Sequence, residues 1–170
     1  VDYQVTENKT VFFDILHSKN LLKINDGSVT LNGVTVSVID GIISLKGTSN
    51  KPIFCNLSNL AMSYTGAEFL TEQVDFLEVG KNYAIRSFLL DSNGADKGGY
   101  PSLTFGVKNA DGVTIFNSST ATVTTIDKKA SYVLLYIPGN KTYDVKIGVS
   151  IHENEIPKDF IKCKFDAKLK

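Results

Sequence analysis

Arginine is nearly missing from this 170-residue chain: Arg86 is the only one, and 18 basic residues balance 18 acidic ones for a formal charge of +0. A nucleic-acid backbone is gripped by a net positive face, and arginine is the preferred reader of base edges, so this balance argues against nucleic acid as a partner. No apolar run reaches the length of about 18 residues that a transmembrane helix needs, so no membrane insertion is expected. The opening Val1-Asp2-Tyr3-Gln4 has no initiator methionine and no basic stretch leading into an apolar one. No signal peptide is visible, and the chain reads as a piece of a longer protein or a processed one.

Metal-ligating and nucleophilic residues are scarce as well. Cys55 and Cys163 lie far apart and match no metal-ligand spacing. Each is in phase with apolar neighbours, Cys55 with Ile53 and Leu57 and Cys163 with Ile161 and Phe165, so both read as core thiols, with a disulfide as the lesser reading. His17 and His152 are the only histidines. His17 borders a turn, and His152 falls out of phase with the apolar face of its strand and is expected to be solvated. No Gly-x-Ser-x-Gly elbow is present, and a triad needs a histidine beside its nucleophile, so the chain is read as not an enzyme. Carboxylates such as Asp75, Glu78, Asp91 and Asp96 sit in turn or strand-end contexts where they cap backbone N–H groups, and they form no specific hydrolytic pair. Asp91-Ser92-Asn93-Gly94-Ala95-Asp96 is rich in oxygen, but it lacks the acidic residue that closes a calcium loop; no metal and no cofactor are expected.

What the chain has in abundance is alternation of apolar and polar residues at period two. Val34, Val36 and Val38 alternate with Thr35 and Ser37, and Leu103, Phe105 and Val107 with Thr104, Gly106 and Lys108. Tyr143, Val145, Ile147, Val149 and Ile151 alternate with Asp144, Lys146, Gly148, Ser150 and His152. Such a strand covers a core on one face only. Further strands are expected over 42–47, 53–57, 83–90, 113–116, 120–126 and 131–137. Leu134, Leu135 and Tyr136 are apolar on both faces, so that strand is central or covered on its outer side.

Asn32-Gly33, Asp40-Gly41 and Asp111-Gly112 each separate two such runs, and two-residue type I′ hairpins need residues tolerant of positive φ. The connections are therefore antiparallel. No amphipathic helix supplies the crossovers of a parallel sheet, and the uneven spacing of the turns favours hairpins over a β-helix. The fold expected is all-β, an antiparallel, jelly-roll-like β-sandwich with little or no helix. Residues 1–18 read as a lead-in or linker, 19–156 as the sandwich, and 157–170 as an edge strand or the start of a linker to a following domain. Residues 10–22 fit a helix or a strand, and 71–77 leave room for one helical turn.

Ser18-Lys19-Asn20-Leu21-Leu22, Asn32-Gly33-Val34-Thr35-Val36 and Asp40-Gly41-Ile42-Ile43-Ser44-Leu45-Lys46-Gly47-Thr48 follow one another in an order that has a family look. With Leu77-Glu78-Val79-Gly80-Lys81-Asn82-Tyr83 and the alternating strand 143–151, the set resembles carbohydrate-binding-module-like jelly-roll domains of phage and prophage tail, baseplate and tail-fibre proteins. The matches cover roughly 19–153. One departure is that Ile151-His152-Glu153-Asn154 stands where that family's closing strand often runs into a Pro-Met pair.

The resemblance implies a non-catalytic binding module of a tail-associated structural protein, with cell-surface carbohydrate as its ligand class; the alternative is a purely structural spacer or oligomerisation module with no small ligand. It also implies other tail or baseplate proteins as partners and a homo-oligomer in the full-length protein. Its setting would be a virion tail or a prophage, with the protein made in the bacterial cytoplasm.

Sugars are bound by stacking their C–H faces on aromatic rings while polar side chains take the hydroxyls. The longest polar connection, 91–102, offers both: Tyr100 to stack, Asp91, Asn93 and Asp96 to take hydroxyls, and Arg86 on the strand before it. The plainer reading is a surface loop with a packing tyrosine. Tyr64, in Ser63-Tyr64-Thr65-Gly66, is a second candidate under the same two readings.

Overall fold

A strand that meets a core on one face must send every second side chain into it. Val34, Val36 and Val38 do so, with Thr35 and Ser37 facing outward. The computed structural model describes residues 20–22, 24–66 and 76–162. The lead-in 1–18, most of the ambiguous segment 10–22, residues 71–75 of the possible helical turn, His17, Asp75 and Cys163 lie outside them. Among the described residues the chain runs through β1 (Gly27–Leu31), β2 (Val34–Ile39), β3 (Ile42–Ser49), β4 (Ile53–Asn56), β5 (Ala61–Ser63), β6 (Asn82–Leu90), β7 (Asp96–Gly99), β8 (Thr104–Lys108), β9 (Thr114–Asn117), β10 (Thr124–Thr125), β11 (Tyr132–Ile137) and β12 (Lys141–Glu153).

These strands form two antiparallel sheets. The larger is ordered β1-β2-β3-β12-β6-β10, with β7 also beside β6, and the smaller β5-β4-β11-β8-β9. The chain changes sheet from β3 to β4, from β5 to β6, from β7 to β8, and then at every step from β9 through β10 and β11 to β12. That places β3-β12-β6-β10 opposite β4-β11-β8-β9, the double Greek key of a jelly roll. The inner faces share one buried cluster that includes Val36, Leu45, Ile85 and Val149 of the larger sheet and Ile53, Phe105, Val133 and Leu135 of the smaller. Cys55 belongs to the same cluster as a free thiol. Burial pushes its pKa up to about 12, so it stays protonated. No described helix is long and apolar enough to cross a membrane.

Two of the three expected tight turns form as read. Asn32 and Gly33 (φ 49° and 82°) and Asp40 and Gly41 (φ 52° and 76°) close two-residue hairpins. The first of these turns backs so closely onto β3 that a Cβ on Gly47, at φ 115°, would lie 1.9 Å from the Gly33 carbonyl oxygen. The third is wider. Gly112 donates to the Asn109 carbonyl, Asn109 to the Val113 carbonyl, and only Gly112 of the pair has positive φ. The Asn109 side chain organises this loop by accepting from the Asp111 and Val113 N–H groups, which makes a three-residue hairpin with a left-handed glycine. Residues 120–126 hold only the two-residue β10, and the supposed loop 91–102 contains the edge strand β7.

β12 outruns its neighbour β3 after Ile147, while β6 follows it to Glu153. Residues 20–22 cover the edge thus bared. Leu21 donates to the Ile151 carbonyl, the Asn20 amide donates to Val149, and the Asn20 Oδ1 accepts from Ile151. Residues 157–162, expected as an edge strand or linker, carry no strand and lie as a strap over the outer face of β12 and β6. Phe160 sits on Gly148 and packs against Phe88 at 6.4 Å, and Ile161 exchanges hydrogen bonds with the Ser150 hydroxyl. Gly148 and Ser150, polar or small in the sequence pattern, are therefore buried. His152 is also buried, at 4% exposure, which corrects the expectation that it is solvated. Its Nδ1 lies 3.3 Å from Glu155 Oε1, at a cleft of about 340 Å³ lined by Leu21, His152, Glu153 and Glu155.

Candidate functional site

The residues of the 91–102 connection are engaged by backbone. Asp91 Oδ1 accepts from the N–H groups of Asn93 (2.8 Å) and Ala95 (2.9 Å), and the Ala95 hydrogen bond is the chief cause that holds this carboxyl below its ordinary pKa. Asn93 is exposed at the tip of the loop. Asp96 accepts from Gly98 through one oxygen and from Phe160 of the strap through the other. Arg86 donates to the Pro157 carbonyl at 3.1 Å and lies over the Phe88 ring at 5.1 Å. Its guanidinium packs on Gly99, where a Cβ would come within 2.6 Å. Tyr100 is tied to Ser87 by two hydrogen bonds and packs its ring, half-buried, against the core.

Arg86 and Tyr100 are thus brought near one another. Asp91 and Asn93 lie at the far end of β6, five residues beyond Arg86, or roughly 16 Å along an extended strand. Tyr64 stands at the end of β5 in the other sheet. The six sequence candidates do not form one cluster.

A different constellation arises from register. Phe54 pairs with Ser63 on one side and with Tyr136 on the other, and Tyr136 pairs with Thr104. Ser63, Phe54, Tyr136 and Thr104 therefore form one continuous row across β5, β4, β11 and β8. Because Ile53, Cys55, Leu135 and Ile137 point into the core, Phe54 and Tyr136 point out of the smaller sheet. Their rings lie 5.2 Å apart at 49°. Further along the same face Tyr132 and Leu134 are buried in a small cluster with Phe54 and Ala61, whereas Tyr136 is 37% exposed.

Tyr64, directly after Ser63, is 43% exposed, with the Lys51 ammonium 5.2 Å from its ring centre. The Tyr143 hydroxyl donates to Pro138. Its pKa is raised by burial first, and then by the neighbouring Tyr100 and Tyr136 hydroxyls. Of the sequence candidates only Tyr64, next to Ser63, borders the aromatic row, since the Tyr100 ring packs against the core.

Sequence reasoning missed Phe54, Tyr136 and Lys51. The signal for Tyr136 was present: Leu135 and Ile137 fix the inward phase of β11, which leaves an aromatic ring on the outer side of a central strand. Such ring faces beside the Thr104 hydroxyl make a stacking surface for a flat, polar-edged ligand. Among the described residues no three His, Cys, Asp or Glu side chains converge to hold a metal ion. No protein-family model, no curated protein and no solved structure matches the chain. Fold and site together define its class, an antiparallel jelly-roll β-sandwich with an outward aromatic row on its five-stranded sheet.

Proposed function

We propose that this domain is a non-catalytic binding module that recognises cell-surface carbohydrate, carried by a phage or prophage tail-associated structural protein. One observation carries the ligand class: the row Ser63, Phe54, Tyr136 and Thr104 on the outer face of the smaller sheet, with Tyr136 open to solvent and exposed Tyr64 following Ser63 at the end of the row. Pyranose C–H faces stack on such rings, and side chains fixed by strand register lose little entropy on binding. Thr104 supplies a hydroxyl at one edge of the row, whereas Ser63 at the other is buried and bonds the Thr65 backbone. The tail setting rests on the motif order from Asn20-Leu21-Leu22 to the long strand 143–151, and neighbouring genes for tail or lysis proteins would support it.

The test is a titration with purified bacterial wall polysaccharide. Saturable binding is expected, weakened about tenfold, or about 1.4 kcal/mol, by Tyr136→Ala with the circular dichroism spectrum unchanged. Tyr64→Ala, next to the Ser63 end of the row, is expected to cost less. Binding indifferent to Tyr136, or none across a broad saccharide panel, would sink the proposal.

A further inference from the structure

The loops that close this end of the sandwich bring two ammonium groups to the aromatic rings. Lys51 lies in the β3–β4 connection, and Lys141 opens β12. The β11–β12 turn packs against the first of these. A Cβ on Gly139 would come within 2.7 Å of the Lys51 carbonyl carbon, the Asn140 N–H donates to the Ser49 carbonyl at 2.6 Å, and Lys141 is in register with Ser49. The two connections therefore form one surface. Each ammonium rests on a tyrosine: Lys51 on Tyr64 at 5.2 Å, and Lys141 on Tyr143 at 5.6 Å.

Among the described residues no carboxylate pairs with either lysine. The nearest acid along β12, Asp144, stands in register with Lys46. The other polar groups of this surface include the neutral Asn32 and Asn50, whose amides bond one another at 3.0 Å. Since the whole chain is formally neutral, the positive potential here is local rather than a property of the molecule.

Resting on the saccharide reading above, we infer that the ligand is an anionic saccharide. Successive sugar units would stack on Tyr136 and on Tyr64, which lie two strands apart, while a carboxylate or phosphate substituent meets Lys51 and Lys141. A lysine held on a ring face is already oriented, and one without an acidic partner has no ion pair to break before it engages an incoming anion.

The experiment titrates the chain with three polymers, polygalacturonate, a polyglycerol-phosphate chain bearing sugar substituents, and neutral dextran, at about 20 mM and about 500 mM salt. At least one anionic polymer is expected to bind tenfold or more tighter than dextran at low salt and to lose that advantage at high salt. The carboxylate and phosphate arms identify which anion is preferred. Lys51→Gln combined with Lys141→Gln should reduce the affinity to that for dextran, while Lys128→Gln combined with Lys158→Gln, the same change of charge elsewhere, should not. Equal, salt-indifferent binding of dextran overturns the charge inference and leaves the stacking reading standing. Equal loss in both lysine pairs overturns it too, as does failure to bind any of the three polymers while wall polysaccharide still binds through Tyr136.

Discussion

The Asn20 side chain stands in for a missing piece of backbone. Its amide nitrogen donates to the carbonyls of Val149 and Ile161, and its oxygen accepts from the N–H groups of Leu22 and Ile151. A carboxamide has two donors and two lone pairs, so these bonds engage every one of them. Removing it would leave buried carbonyls and N–H groups without partners, each at about 1–3 kcal/mol before water enters. Asn20→Ala is therefore expected to destabilise the domain by about 3 kcal/mol, read as a lower urea midpoint at unchanged slope. Asn25→Ala, at an exposed position, should stay within about 0.5 kcal/mol, and equal effects of the two would remove Asn20 from this role. Asn20 was visible in the sequence as part of a family-like Asn-Leu-Leu opening, but all its partners except Leu22 lie about 130–140 residues away along the chain, where no local pattern reaches. His152 shows the same limit from the other side. Alternation marks which face a residue takes, not whether that face is later covered.

Among the elements, the turns were the most legible, because positive φ at two consecutive positions restricts the residues that fit. Asn32-Gly33 and Asp40-Gly41 follow that restriction. At Asp111-Gly112 the same dipeptide letters sit in a longer loop, since the Asn109 side chain, two positions earlier, supplies acceptors that widen it. β7 escaped notice because Asp96-Lys97-Gly98-Gly99 is exposed throughout and has no apolar face to alternate. The strap 157–162 has no period at all and is fixed by shape. A Cβ on Gly148 would come within 2.4 Å of the Phe160 ring. Gly148→Ala should therefore lift the strap and cost about 1–3 kcal/mol through overpacking. Faster proteolysis and hydrogen exchange at Phe160 and Ile161, with β3 and β11 still protected, is the expected signature. Unchanged exchange at Phe160 would mean that the strap does not depend on this contact.

At the scale of the whole molecule, period-two patterning determined that there would be a sandwich but not which strand lies beside which. A residue's face depends on local phase, whereas its neighbour depends on chain segments far away. The aromatic row was hidden for the same reason, since Ser63, Phe54, Tyr136 and Thr104 come from four strands and meet only through register. This non-locality has a kinetic consequence. The central pairing of β3 with β12 joins positions 94 residues apart at Thr48 and Thr142, and β12 also aligns β6, so the larger sheet cannot be completed until the last strand docks. Closing so long a loop costs chain entropy before any contact repays it, and all-β domains dominated by such pairings refold in roughly milliseconds to seconds. Stopped-flow dilution from urea should give a main phase in that range. Thr142→Ala, which removes the hydroxyl bonded to Thr48 at 2.8 Å, should mainly speed unfolding if β12 docks after the rate-limiting step. A folding phase complete in microseconds would require local contacts to dominate, and the jelly-roll pairing would then be the wrong description of the chain.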